Sequence, residues 1–431
     1  MFHGAIDCGL EEIILGPGFT CEHVTDMEYM FIYLPELKKL DLTFFDPSSA
    51  VKTSSFIKKC ESLEELDLSG KDFSNANSLS SWFASMSGLK RLDLSNAVFP
   101  STLSWSSLSE AQNLELVIVG KDSTLPLSFY QSLSVQEVNG NTQWFSLDSQ
   151  TYGSGTKLRE AVVNGDSGVL IKCSIEENGT DSVFDQQSHA VTVSLQAPEG
   201  FYLEFRDESS GEWTSVPPTY IDACTDDKPY QIHARVRTAD LEPTEKWVTL
   251  EQYIRPLDLS DSSIQSTVGS EFISFGFRIE PVLGIVFGDD QLEPGVDYEI
   301  AEQGDNTAPG TGYVKIRGLK NYTGEKILSF TIISTEDLNV VKTPESLQVI
   351  EDKAFCNTSA QAVILSSNCT EIGRCSFAEC ENLMGIQIPE SVTNIAPDAF
   401  EETNLIIYAP EGSYAIDFAK AAKIPYVQYN N

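Results

Sequence analysis

The sequence predicts a mainly β chain, with a stacked-repeat segment at each end and two β-sandwich modules between them. Three observations predict it. Leucine-led hexapeptides return about every 26 residues in the first third of the chain. Alternating apolar and polar segments, separated by turn clusters, fill the middle. Isoleucine and phenylalanine return every 22–23 residues near the carboxy terminus. The chain of 431 residues is long enough for several domains. Its 41% hydrophobic and 10% aromatic content excludes wholesale disorder.

The first repeat segment is expected over residues 1–165. LEEIIL, LKKLDL, LEELDL, LKRLDL and LELVIV begin at Leu10, Leu37, Leu63, Leu89 and Leu114, in steps of 27, 26, 26 and 25 residues. Each supplies one short strand with its apolar residues on one side. A second apolar column runs through Phe31, Ile57, Phe83 and Leu108, six residues before each repeat leucine. A single repeat cannot bury its apolar face alone, so the repeats are expected to stack into a solenoid.

The exposed positions of these strands form columns of their own. In a parallel, in-register stack, equivalent residues lie about 4.8 Å apart. One column reads Glu12, Lys39, Glu65, Arg91, and its neighbour reads Glu11, Lys38, Glu64, Lys90. Both alternate in sign, which favours correct register, because like charges directly opposite destabilise. A third column carries Asp41, Asp67 and Asp93. Its carboxylates repel one another unless solvated, bonded to nearby backbone or bridged by calcium, and the first two are the expected state. The candidate binding face is therefore Glu12, Lys39, Asp41, Glu65, Asp67, Arg91 and Asp93.

These repeats resemble the leucine-rich repeats of bacterial surface proteins of the BspA-like type. The resemblance rests on the LDLS-type strands, the following Phe45, Phe73 and Phe99, and the connector from Trp82 to Leu89. The asparagine of plant and animal leucine-rich repeats is not regular here, so their turn geometry does not carry over.

After about Leu158 the period breaks. HAVTVSLQ, FYLEFRD, YQIHARVRT and EKWVTLEQY alternate, with turn clusters between them, and predict a β-sandwich over 166–256. VFDQQSHAVTV followed by EWTSVPPTYID resembles the Ig-like modules of bacterial surface proteins. A second module is expected over 257–335. Its ending, Gly318, Asn321, Tyr322, Thr323 and Gly324, resembles another Ig-like repeat of Gram-positive surface proteins. There the glycines are expected to permit a tight turn and Tyr322 to anchor the core.

Residues 336–431 form the last expected segment. Ile350, Ile372 and Ile395 are in phase, as are Phe355, Phe377 and Phe400, and IPESVTNIAPDAF closely resembles the BspA-like repeat. A helical run over Tyr414–Ala422 and an extended end are expected to cap the last rung. The fold class is thus leucine-rich-repeat solenoid segments at both ends flanking two Ig-like β-sandwich modules.

Charge narrows the function. Asp plus Glu total 64 against 28 Lys plus Arg, a net charge of −36, which repels phosphate backbones and anionic lipid. No apolar run reaches the roughly 18–20 residues of a membrane helix. The start carries no basic and apolar leader, and Met1–Cys8 enters part-way through a repeat, so the chain is expected to be a mature form or a fragment. The nine cysteines are expected as mostly reduced, buried thiols. Cys356, Cys369, Cys375 and Cys380 have gaps unlike a zinc site, and Cys369 shares the core phase of Leu347 and Val392.

Catalytic patterns are weak. Gly165-Asp166-Ser167-Gly168 resembles a serine-protease nucleophile sequence, but His3, His23, His189 and His233 lack the matching context. Gly153-Ser154-Gly155 lacks a nucleotide-loop setting. Gly288-Asp289-Asp290 with Glu293 and Asp297 reads as a hairpin loop. Asn178, Asn321, Asn357 and Asn368 begin glycosylation sequences, which matter only in a glycosylating source.

The expected function is a non-catalytic bacterial cell-surface or secreted binding protein, adhesin-like, presenting repeat faces to a protein or glycan partner. No enzyme activity, cofactor or resident metal is expected, nor any nucleic-acid partner or membrane insertion. The alternative is a self-associating cell-wall scaffold component.

Overall fold

The computed structural model describes residues 2–3, 8–105, 108–134, 143–165, 167–179, 181–208, 211–225 and 227–430. The protein is mainly β, with many short strands in small sheets and few helices. It divides into two compact units. One comprises Met1–Ser182, Ser188–Ile221 and Lys228–Tyr253; the other comprises Val183–Gln187, Asp222–Asp227 and Ile254–Asn431.

In the first unit the leucine hexapeptides form three-residue parallel strands. Glu12–Ile14 pairs with Lys39–Asp41, and Glu65–Asp67, Arg91–Asp93 and Leu116–Ile118 pair in turn. Each central residue, Ile13, Leu40, Leu66, Leu92 or Val117, is buried. The second apolar column makes a parallel ladder too, with Phe31 opposite Ile57 and Ile57 accepting the Phe83 N–H at 3.0 Å. Between the two ladders runs an unbroken chain of rings. Phe31, Phe56, Phe73, Trp82, Phe99, Trp105 and Phe129 follow one another with neighbouring centroids 4.9–5.6 Å apart. Burying each such side chain contributes roughly 1.5–3 kcal/mol, and the offset and edge contacts add to that.

An antiparallel strand covers the last parallel rung. Val169–Asn178 pairs through Val169–Ile171 with Leu116–Ile118, through its middle with Gln143–Ser146, and through Ser174–Asn178 with Thr192–Gln196. One ten-residue strand thus links the repeat sheet to the antiparallel strands that follow. Buried Gln150 ties the two together. Its Nε2 donates to Val236 O at 3.0 Å, and its Oε1 accepts the Val236 N–H at 2.6 Å. Phe201–Asp207, Tyr230–Thr238 and Val248–Arg255 then form an antiparallel sheet.

The second unit holds two kinds of sheet. Tyr298–Gln303, Gly310–Gly318 and Glu325–Ser334 run antiparallel, with Glu271–Ser274 added parallel at one edge. Tyr322 is buried against Phe184 and Phe287, at 5.5 and 6.4 Å. The two glycines around it are forced. A Cβ on Gly318 would lie 2.5 Å from Thr323 N, and Gly324 has φ +76° with Asp258 Oδ2 2.5 Å from where its Cβ would be. Asn321 joins three strands of chain: Oδ1 accepts the Ala223 N–H, Nδ2 donates to Asp222, and its carbonyl accepts the Leu257 N–H.

The carboxy-terminal repeats give two parallel ladders. Val349–Ile350, Glu371–Ile372 and Asn394–Ile395 form one. Val340–Lys342, Ala362–Ile364, Gly385–Gln387, Ile406–Pro410 and Tyr426–Tyr429 form the other. Phe355, Phe377 and Phe400 stack at 5.2 and 5.7 Å, and Phe418 of the helix Tyr414–Ala422 closes the column at 6.0 Å. Lys423, at φ 55°, ends that helix in the left-handed conformation and turns the chain into the last strand.

Candidate binding face

The seven sequence-predicted residues lie on the short strands of the first repeat segment. Alternation on a strand turns the central residue inward and leaves its neighbours outward, so these side chains are exposed or half-buried. Glu12 stands opposite Lys39, with Nζ 2.6 Å from Oε1. Glu65 stands opposite Arg91. In the neighbouring column, Lys38 pairs with Glu11 and Lys90 with Glu64, both at 3.1 Å. The predicted single row is divided: the rung-to-rung backbone bonds that join Glu12–Ile14 to Lys39–Asp41 are not repeated between Lys39–Asp41 and Glu65–Asp67 among the described residues. Lys71 bridges that step instead, donating from Nζ to Thr43 O at 3.1 Å.

The aspartate column is built into turns. Asp41 Oδ1 accepts the Thr43 N–H at 2.9 Å, Asp67 Oδ1 the Ser69 N–H at 2.7 Å, and Asp93 Oδ1 the Ser95 N–H at 2.9 Å. Bonds from the Thr43 side chain and backbone hold the Asp41 carboxyl below the usual carboxylate range. A second series repeats the device, with Asp26, Asp46 and Asp72 accepting the N–H groups of Glu28, Ser48 and Ser74. The D-x-S/T spacing in LDLT and LDLS is the sequence signal of these turns. Among the described residues, no group of three or more His, Cys, Asp and Glu gathers to hold a metal ion.

The other singled-out residues have structural work. Ser167 donates from Oγ to Asp148 Oδ1 at 2.7 Å, while Asp148 Oδ2 accepts the Gly168 N–H at 2.7 Å. Asp166 lies outside the described residues. A Cβ on Gly168, which has φ +61°, would come 2.6 Å from Gly120 N, so the glycine serves close backbone packing. All nine cysteines are free thiols. Buried Cys60 and Cys380 donate to carbonyls of the preceding rung, Phe31 O and Phe355 O. Asp290 accepts from Gln186 Nε2, and Asp297 accepts the Glu293 N–H.

One polar cluster escaped the sequence. Arg206 lies between the rings of Trp213 and Trp247, 4.7 and 4.9 Å from their centroids, and His233 stacks on Trp247 at 4.5 Å. Burial and then Arg206 lower the His233 pKa. The cluster depends on cross-strand register, Arg206 opposite His233, which no linear pattern records.

The fold therefore defines a mainly β protein with in-register parallel repeats in both units. Comparison with protein families places a match to the BspA type leucine rich repeat region (6 copies) over residues 321–414. Proteins of that family are typically bacterial surface proteins. No curated protein and no solved structure gives a significant match. No helix among the described residues is long and apolar enough to cross a membrane.

Proposed function

We propose that the chain is a non-catalytic bacterial cell-surface or secreted binding protein. On this reading, residues 1–165 and 336–431 are leucine-rich-repeat solenoid segments, and 166–256 and 257–335 are Ig-like spacers. The exposed strand residues Glu12, Lys39, Asp41, Glu65, Asp67, Arg91 and Asp93 meet a protein or glycan partner. The observation that carries the reading is the charged face itself: outward carboxylates and cations fixed by strand register and by Asx turns, with no rotamer search left for the turn-held aspartates. The family match over 321–414 supports a surface setting.

The test is binding of the full chain to immobilised host matrix proteins at low and high ionic strength. Asp67→Asn keeps the turn acceptor and removes the charge. The reading expects binding that weakens with salt and with Asp67→Asn together with Glu65→Gln. Indifference to both removes this face from the function.

A further inference from the structure

We propose that the second unit carries a small-molecule site: an open groove of about 900 Å³ that binds an amphipathic carboxylate, an aliphatic body with an acid head. Phe272, Val282, Leu292, Ile300, Ile406 and Ile424 supply its apolar walls. Val282 and Ile300 remain 60% and 50% exposed, which is costly for branched side chains with no partner. The volume lies within the range of roughly 300–1,000 Å³ typical of ligand clefts.

The charge at the groove selects the head group. The chain has 64 acids and 28 Lys and Arg residues, yet this groove is lined by Lys420 and Lys423 against Glu293 alone among charged side chains. Among the described residues neither ammonium is paired with a carboxylate. Lys420 Nζ sits 5.7 Å over the Tyr426 ring, which fixes its stem along the groove and leaves its donors open. Lys423 is held at the end of the helix by its left-handed backbone. Two open cations beside an apolar trough match an anion with a hydrocarbon tail, and disfavour a cationic one.

The experiment is titration calorimetry of the full chain with decanoate, decanol and decyltrimethylammonium, all below their aggregation limits. The proposal expects decanoate to bind about tenfold tighter than the ammonium. Lys420→Gln with Lys423→Gln, both exposed and outside the core, lowers decanoate affinity about tenfold and leaves decanol within about twofold. Val282→Glu abolishes binding of decanol. Equal affinity for the two ions, unchanged decanoate affinity in the lysine variant, or no decanoate binding overturns the proposal. Unchanged near-ultraviolet circular dichroism establishes that each variant is folded.

Discussion

Asp67 and Asp93 lie directly opposite one another on adjacent parallel strands, and each carboxylate is occupied by its own turn, accepting N–H groups from Ser69 and Ser95. Two like charges are tolerated there because each is partly neutralised by a local donor. Removing the acceptor leaves a turn N–H without its partner. Asp67→Ala is expected to lose about 0.5–1.5 kcal/mol in urea unfolding. Asp67→Asn retains the acceptor, relieves the repulsion, and is expected to match or exceed the natural chain. An Asn variant as unstable as the Ala variant contradicts the turn account.

Trp82 is the hub of the ring column in the first unit. It is fully buried, touches Phe56, Phe73, Phe99 and Trp105, and donates from Nε1 to Thr53 O at 2.5 Å. Trp82→Ala is expected to destabilise by about 3–5 kcal/mol, the sum of lost transfer free energy and the cavity left. Trp82→Phe keeps most of the ring contacts and loses less. Chemical denaturation followed by circular dichroism measures both.

Lys172 carries a pH signature. Burial lowers its pKa to about 8, against the opposing pull of Glu115, while Nζ donates to Gln112 O. Unfolding returns the amine to its ordinary value of about 10.4. Below pH 8 both states are protonated and the burial penalty is present in full. Between about 8 and 10.4 the unfolded chain binds more protons, so this group's contribution to stability rises with pH. Lys172→Met is expected to raise the urea midpoint at pH 7 and to flatten its rise between pH 8 and 10. A natural chain whose midpoint difference from Lys172→Met is independent of pH contradicts this.

The cysteines separate by reactivity. Cys8, Cys356 and Cys375 are half-buried and the other six are buried. Burial pushes the Cys60 and Cys173 thiols up to about 12. A thiol reagent is expected to label three sites quickly in the folded chain and all nine in denaturant. Fewer than nine in non-reducing denaturant indicates a disulfide that this fold does not contain.

The repeat strands, both apolar columns and the terminal helix were legible because period and phase are properties of linear sequence. Leu66, Leu92 and Val117 could be read as one stripe, and Phe355, Phe377 and Phe400 as another. Trp82 and Trp105 stood in connectors, where no strict period marks them, yet they fill the centre of the ring column. The turn role of the aspartates was present in the D-x-S/T spacing, as the bonding of Asp41, Asp67 and Asp93 to backbone. The interruption between Lys39 and Glu65 left no trace, since the 26-residue step is the same on both sides of it. The Arg206, Trp247 and His233 cluster depends on pairing between strands distant in sequence, and the Lys420 groove on the packing of separate sheets.

Paired cysteines test the repeat stack most directly. Adjacent in-register strands bring equivalent Cα atoms to about 4.8 Å, within disulfide reach, whereas positions two rungs apart lie near 10 Å. Under mild oxidation, Glu65→Cys with Arg91→Cys is expected to close a bond in the folded chain, identified by peptide mass, while Glu65→Cys with Leu116→Cys stays open. A bond between positions 65 and 116, with 65 and 91 left reduced, contradicts the stack and the charged face that rests on it.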